Sequence, residues 1–400
     1  MSEKRRDNKK RILRTGESQR KDGRYVFKYT DNNGEVRFVY SWKLDEKDKL
    51  PNGKRECEAL RTLEKQIRLD LDKGIDPNGS KITVLQLVEK YASQKNGVKE
   101  STKKTYNAVI SRLKKEPFGQ KLITKVKVSD AKEWAVNLQQ KSGLCKGTVK
   151  SYKNVLRPAF EIAIEDDYIY KNPFQFSLAK ITIDDNKKRD ALTAEQENSF
   201  LDFIKNSKKY SVYYDAIFIL FNTGLRISEL CGLTFADVDM ENKILSVDHQ
   251  LLRINNIGFR VTDTKSKSGV RKIPMTECVC ESFRRIMDGR YGQKVEPIVD
   301  GKTGFLFLTC KGLTTSRRVW EGRFERICKE YNKIHTIQMP NVTPHICRHT
   351  FCSKMANAGM NPKALQYLMG HSNIKETLNV YAHTHDVDAD SEFRRIEQII

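Results

Sequence analysis

The sequence predicts a multi-domain chain in three parts: a small β-sheet plus helix, an all-α unit, and a mixed α+β unit. Three observations lead there. At 400 residues the chain is too long for one ordinary core. Its apolar periodicity changes from alternation, to helical spacing, to a mixture of both. Two breaker-rich or charged stretches, "DKGIDPNGSK" and "TIDDNKKRDALTAEQ", fall between the parts.

Composition limits the function. The chain carries 73 Lys+Arg against 51 Asp+Glu, a formal net charge of +22, with pI ≈ 9.5. Such a balance points to a polyanionic partner. Nucleic acid is the commonest, because neutralising phosphates releases counterions. An anionic membrane surface competes, but no apolar run could span a bilayer and no lipidation motif is present. The start, "MSEKRRDNKKR", lacks the apolar stretch of a signal peptide, so a cytoplasmic protein is expected. Nine cysteines without a CxxC pair suit reduced thiols, mostly core filler.

The elements follow in order. Residues 1–28 hold eleven Lys/Arg against four Asp/Glu. In "GRYVFKYTDNNGEVRFVYSW" two alternating runs flank Asn33-Gly34, a hairpin signal because a type I′ turn needs positive φ. Arg24, Val26 and Lys28 fall on one face; Tyr25, Phe27 and Tyr29 fall on the other. A helix over Arg55–Lys73 can cover the aromatic face, leaving a basic one able to lie in a DNA groove. From Ile82 to Ile183 helices dominate: one from Thr83, one over Thr105–Leu113 capped by Ser101, one capped by Ser129, and one over Thr148–Ile164. Thr193 starts a further helix. Beyond it, "KILSVDHQLL", "GFRVTDTK" and "SGVRKIPM" read as three strands.

One stretch demands a chemical reading. "TPHICRHTF" places His345, Arg348 and His349 at a helix start. A solvated face, a metal site and a phosphate clamp are the choices. Zinc fits poorly: His345, His349 and Cys352 share a helical face, Cys347 points away, and no CxxC knuckle is present. The clamp gains weight from three more fragments: "NTGLRISEL" with Arg226 and Glu229, "TDTKSKSGVRKIP" with Lys265, and "LMGHSNIKETLNVYAH" with His371 and Tyr381.

Together these motifs resemble the tyrosine recombinase family, in their order and approximate spacing. Physical chemistry asks for the same groups. Attack on a phosphodiester by a hydroxyl builds negative charge on the non-bridging oxygens, which forked guanidiniums such as Arg226 and Arg348 stabilise. The nucleophile must lose a proton and the departing 5′ oxygen must gain one, work suited to histidine and lysine. His345, three residues before Arg348, lies on the same helical face. The resemblance implies that His345 assists as acid/base and that Lys265, at a β-hairpin tip, is the general acid. Lys267 is its rival. It also implies that His371 bonds a phosphate oxygen and that Tyr381 forms a 3′-phosphotyrosine, with Glu229 buttressing the site. His349, His383 and His385 are read as structural, and Tyr367 as packing.

"RILRTGESQRKDGRYVFKY", "VYSWKL" and "NPKALQYLMGH" are similar to integrases of Gram-positive conjugative transposons. That resemblance implies an arm-type DNA-binding domain at 1–76 with a three-stranded sheet, in which Arg20, Arg24, Lys28 and Tyr40 meet DNA and Lys54 touches phosphate. It implies a helical core-binding domain at 82–183 and a catalytic domain at 190–388. The tail 389–400 carries Phe393, Ile396 and Ile400 at helical spacing; the family habit is docking on a neighbouring protomer, and docking in cis is equally compatible with the spacing. Expected partners are double-stranded DNA at core-type and arm-type sites, a homotetramer, an excisionase and a host DNA-bending protein. No cofactor and no metal is expected. Two other readings stand beside recombination: a DNA-binding regulator without strand chemistry, and a DNA-relaxing topoisomerase.

Overall fold

The computed structural model describes residues 5–31, 34–72, 81–185, 190–254, 257–264, 266–290 and 296–384, with 394 and 397. Its chain divides into two compact units, Met1–Lys187 and Lys188–Ile400.

The first unit opens with an antiparallel sheet in the order β1 (Glu17–Gln19), β2 (Tyr25–Thr30), β3 (Val36–Ser41). The β2–β3 register pairs Val26 with Tyr40 and Lys28 with Phe38. Directly paired residues share a face, so Arg24, Val26, Lys28, Phe38 and Tyr40 lie on one side. Tyr25 and Phe27 fill the other, in a cluster with Leu44 and Leu60. The expected hairpin is present; of its turn, Asn33 lies outside the described residues, while Gly34 holds φ +81°. Gly16 is required for a different reason: with φ +90°, an added Cβ would stand 2.7 Å from the Lys28 carbonyl oxygen.

Helix α1 runs Leu60–Asp72, not from Arg55. Upstream, Gly53 turns the chain at φ +77° and the Ser41 hydroxyl donates to the Glu58 carbonyl, which keeps 51–58 out of the helix. The Leu60 amide then donates to Lys43 at 2.8 Å and fixes the helix under the sheet. The expected linker falls largely on 73–80, outside the described residues.

Five helices follow: α2 (Val84–Gln94), α3 (Glu100–Lys115), the short α4 (Pro117–Gln120), α5 (Val128–Gln140) and α6 (Lys146–Glu165). Thr83 caps α2 through a reciprocal pair with Gln86. Two expected caps are corrected. Ser101 and Ser129 lie inside their helices, whose N-caps are Lys99 and Lys127. At α5 the Asp130 carboxylate accepts the Lys127 amide at 2.8 Å, so an acid three residues in does the capping. Leu87, Val109, Leu113, Trp134, Phe160 and Phe174 belong to the core of these helices.

The second unit starts with α7 (Ala194–Asn206), capped as expected by Thr193 with Gln196. Then come α8 (Tyr214–Thr223), α9 (Ile227–Gly232), β4 (Val238–Asp239), β5 (Ile244–Val247), β6 (His249–Ile254), β7 (Gly258–Asp263), β8 (Arg271–Pro274) and α10 (Glu277–Asp288). "KILSVDHQLL" is thus two strands broken at Asp248. β5 pairs β4 and β8, while β6 pairs β7 in a separate ribbon. The break follows from His249, a buried ring bonded to Asp248 and, at 2.8 Å, to the Gly232 carbonyl. It also corrects the hairpin expected around residue 265, because β7 and β8 belong to different sheets and 264–270 connects them. Helices α11 (Arg317–Ile334), α12 (Pro344–Asn357), α13 (Pro362–Met369) and α14 (Ile374–Thr384) complete the unit, with α12 packed on α8, α11, α13 and α14. Among the described residues, no helix is long and apolar enough to cross a membrane.

Candidate active site

Two helix ends build the centre. α8 stops at Gly224 (φ +63°) and α13 stops at Gly370 (φ +61°), left-handed caps that turn carbonyls outward. The Arg348 guanidinium, buried on α12, donates to the Gly224 carbonyl at 2.6 Å and to the Met369 carbonyl. Arg226, the N-cap of α9, donates from Nη2 to the Gly370 carbonyl at 2.7 Å and from Nη1 to Glu229 Oε1 at 2.7 Å. Both guanidiniums are therefore fixed by the adjacent carbonyls of Met369 and Gly370 on the α13 end.

Glu229, 1% exposed, is the site's anion. Its Oε2 accepts the Arg226 amide at 2.9 Å and Arg271 Nη2 at 2.8 Å. Burial alone would raise its pKa, but Arg271 first, then Arg226 and Arg348, hold it below the usual carboxylate value. Burial, and then Arg226, bring Arg348 down to about 9, which still leaves it charged at neutral pH. His371 follows Gly370 directly. Its Nδ1 lies 2.9 Å from the buried Thr377 hydroxyl. Burial, reinforced by Arg348, Arg226, Arg271 and His345, lowers its pKa to about 4, so the ring is neutral at pH 7.

Of the expected catalytic residues, the structure brings together Arg226, Arg348 and His371, with Glu229 beneath them. His345 lies on the first turn of α12, exposed, and close enough to contribute, after the arginines, to the lowering of the His371 pKa. Lys265 lies outside the described residues. Tyr381 stands on α14, half-buried against the cluster of Phe351, Leu365 and Met369. Its hydroxyl donates to the Met360 carbonyl, and burial, with Cys352 beside it, raises its pKa. The phenol is held as a neutral donor. Of the histidines set aside as structural, His349 lies 3.3 Å from the Ser353 hydroxyl, and His385 lies outside the described residues.

Two readings are corrected here. Tyr367 is not packing: it is 52% exposed and its hydroxyl accepts the Lys272 amide at 3.0 Å. Arg271 was missed altogether. It is a fully buried guanidinium in a strand, donating to Leu368, Gly269 and Glu229 at 2.7, 2.9 and 2.8 Å. The "R-x-I-P" alternation was its only trace in the sequence.

On α12, Cys347 and Cys352 are buried and burial raises the pKa of both, to about 11 for Cys352, which disfavours the thiolates a zinc site needs. Among the described residues, Asp237, Asp248 and His249 form a group that could hold a metal ion. Its donors are already engaged: Asp237 accepts from Thr234, His249 meets the Gly232 carbonyl, and Lys302 Nζ sits 3.2 Å from His249.

In the first unit, Tyr40 and Trp42 collect the basic residues. Arg20 and Arg24 lie 5.7 and 5.5 Å from the Tyr40 ring; Arg24 and Lys54 lie 5.7 and 4.8 Å from Trp42. Lys28 is exposed on the same face. Phe38, 53% exposed, and Trp42 were not anticipated.

A neutral histidine and two guanidinium forks held by one backbone turn, with a tyrosine on the next helix, are the groups that phosphoryl transfer to a side-chain hydroxyl requires. Family models agree: residues 190–387 match the phage integrase family, 83–183 its SAM-like domain, and 1–71 the DNA binding domain of Tn916 integrase. The chain belongs to the phage integrase family and is a tyrosine recombinase. It is 47% identical over 399 residues to the transposase from transposon Tn1545 of Streptococcus agalactiae and to that from transposon Tn916 of Enterococcus faecalis, covering 100% of this chain and 98% of each relative. A solved structure of the Tn1549 transposon integrase in complex with transposon right end DNA is 47% identical, with TM-score 0.75, covering 79% of this chain and 100% of that one. Another, with a circular intermediate DNA, has TM-score 0.76 at 47% identity, covering 79% and 99%.

Proposed function

We propose that this chain integrates and excises a mobile, conjugative-transposon-like element by cutting and rejoining double-stranded DNA at specific sites. Arg226 and Arg348 grip the non-bridging oxygens of the scissile phosphate, and His371 adds a hydrogen bond. Thr377 engages Nδ1, which leaves Nε2 to bond the phosphate; there the ring donates when its proton sits on Nε2. The Tyr381 oxygen attacks phosphorus and the bond to the 5′ oxygen breaks. His345 takes part in proton transfer, and Lys265 delivers the proton the leaving oxygen needs. The 3′-phosphotyrosine conserves the phosphodiester bond energy, so rejoining needs neither ATP nor metal. Two sequential exchanges pass through a four-way junction within a tetramer. The observation that supports this reading best is the anchoring of both guanidiniums to the turn that carries His371.

The division of labour follows: residues 1–76 hold arm-type DNA, with Arg20, Arg24, Lys28, Tyr40 and Lys54 on the contact face; 82–183 hold core-type DNA; 190–388 cut; and 389–400 join protomers. The side chains of Phe393, Ile396 and Ile400 lie outside the described residues. An excisionase and a host DNA-bending protein set the direction, in the bacterial cytoplasm.

The test is incubation with a nicked duplex carrying the element's end, in EDTA. A covalent adduct lost in Tyr381→Phe supports the reading; no adduct with the wild-type chain overturns it in favour of a regulator. Recombination between two sites, rather than relaxation of any supercoiled plasmid, separates an integrase from a topoisomerase.

A further inference from the structure

Arg226 can stabilise a transition state only if its fork is aimed before substrate arrives. Arginine carries five donors. Two of the Arg226 donors are held by protein, one by the Gly370 carbonyl and one by Glu229 Oε1. Both acceptors need to be fixed in turn, and one residue bonds both Glu229 and the last turn of α13 that leads to Gly370.

Arg271 sits on β8 with its guanidinium fully buried. Its Nη2 donates to Glu229 Oε2 at 2.8 Å, which leaves Oε1 turned toward Arg226. Its Nε donates to the Leu368 carbonyl at 2.7 Å, in the last turn of α13, two residues before Gly370. Its Nη1 donates to the Gly269 carbonyl at 2.9 Å, closing the chain segment that leads into β8. The packing is tight at this junction: a Cβ on Gly370 would stand 3.2 Å from Arg271 Nη1 and 3.0 Å from the Ser268 carbonyl oxygen.

We infer that Arg271 is a positioning residue for strand cleavage, setting the Arg226 fork from both sides, through Glu229 and through the α13 end. The inference rests on the reading of Arg226 as a phosphate ligand. Arg271 itself faces protein on all three sides and reaches no substrate. Lysine cannot replace it, because one ammonium cannot serve three acceptors held in fork geometry.

The experiment compares two nicked duplexes carrying the element's end, one with a normal scissile phosphate and one with a methylphosphonate there. The methyl group removes the negative charge that the arginines stabilise. Arg226→Ala should lose cleavage strongly on the phosphate and much less on the methylphosphonate. Equal losses on both, or no wild-type adduct, mean that the reading of Arg226 has failed. Given the expected Arg226→Ala result, Arg271→Lys should cut the phosphate about 10²-fold more slowly, as a misplaced group does, bind the duplex normally, and recover part of the loss on the methylphosphonate. Unchanged cleavage by Arg271→Lys, or the same loss on both duplexes, overturns the inference. Arg271→Ala strips a buried charge from beside Glu229 and risks unfolding, so the lysine variant, which keeps the charge, carries the measurement.

Discussion

The Tyr381 hydroxyl donates its hydrogen bond to the Met360 carbonyl, at the loop between α12 and α13. Burial and the nearby Cys352 raise the phenol's pKa, so the side chain is a neutral donor committed to the backbone. In the proposed mechanism, cleavage breaks that bond and brings the oxygen to phosphorus. Tyr381→Phe keeps the ring in the Phe351–Leu365–Met369 cluster and loses only the hydroxyl. Its stability should fall by about 1 kcal/mol or less, the net worth of one hydrogen bond. DNA affinity should not change. Thermal unfolding and gel shift check both, and a variant that melts far lower would make loss of adduct a folding effect instead of a chemical one.

His371 gives a pH signature with a definite sign. Its folded pKa, about 4, lies below the ordinary 6.5. Between those values the unfolded chain binds more protons, so its contribution to stability is complete above pH 6.5 and lost as pH falls toward 4. The 2.5-unit gap corresponds to about 3 kcal/mol at most. Denaturant titrations of wild type and His371→Gln should therefore converge in stability as the medium is acidified from pH 6.5 to 4. Parallel curves would sink the idea. Cleavage adds a second check, since a ring neutral across pH 6–8 predicts that the variant is slower by one constant factor throughout that range.

What was legible in the sequence depended on range. Local rules worked at Thr193, where the helix start read from the sequence is the cap, paired with Gln196; the left-handed Gly224 closing α8 and the N-cap position of Arg226 with Glu229 at N3 are equally local but were not read. The same rules placed the Ser101 and Ser129 caps wrongly, because at α5 the acid at N3 competed with a nearby hydroxyl and won. Arg271 was opaque for a different reason. Between Val270 and Lys272 it reads as a surface strand residue, and its burial depends on Leu368 and Glu229, 97 and 42 positions away. Tyr367 failed the same way, its role set by the Lys272 amide on another element. The arm face was legible in alternation, and Trp42, two residues after Tyr40, continues it just past the end of β3.

Gly370 and Gly224 separate two kinds of glycine requirement. Both hold positive φ, which costs an alanine about 1–2 kcal/mol. At Gly224 the added Cβ would stand 2.6 Å from a Phe351 ring carbon, so Gly224→Ala disturbs the core beneath Arg348. At Gly370 it meets the backbone oxygen of Ser268 at 3.0 Å, and the shift that relieves this moves the Gly370 carbonyl, the one that accepts from Arg226. Gly370→Ala should therefore lose more cleavage than stability, with DNA binding intact. Adduct rates set beside melting temperatures test it; a variant cutting at the wild-type rate would show that the Gly370 carbonyl does not aim the fork.

Arg24 and Arg11 offer the matching contrast in the first unit. Arg24 is half-buried between the Tyr40 and Trp42 rings on the exposed sheet face. Arg11 is spent internally, donating to Asp7 at 2.9 Å, Asp48 at 2.8 Å and the Tyr25 hydroxyl at 2.9 Å. If the Arg24 face meets a DNA backbone, Arg24→Ala should reduce the slope of log affinity against log salt by about one, the signature of one lost phosphate contact. Arg11→Ala should leave that slope alone and instead lower stability by about 1–3 kcal/mol, since it orphans carboxylates that the guanidinium satisfies. Salt titrations of both full-length variants on an arm-site duplex decide the matter. A slope that falls for Arg11→Ala but not for Arg24→Ala would place the DNA on the opposite side of the sheet.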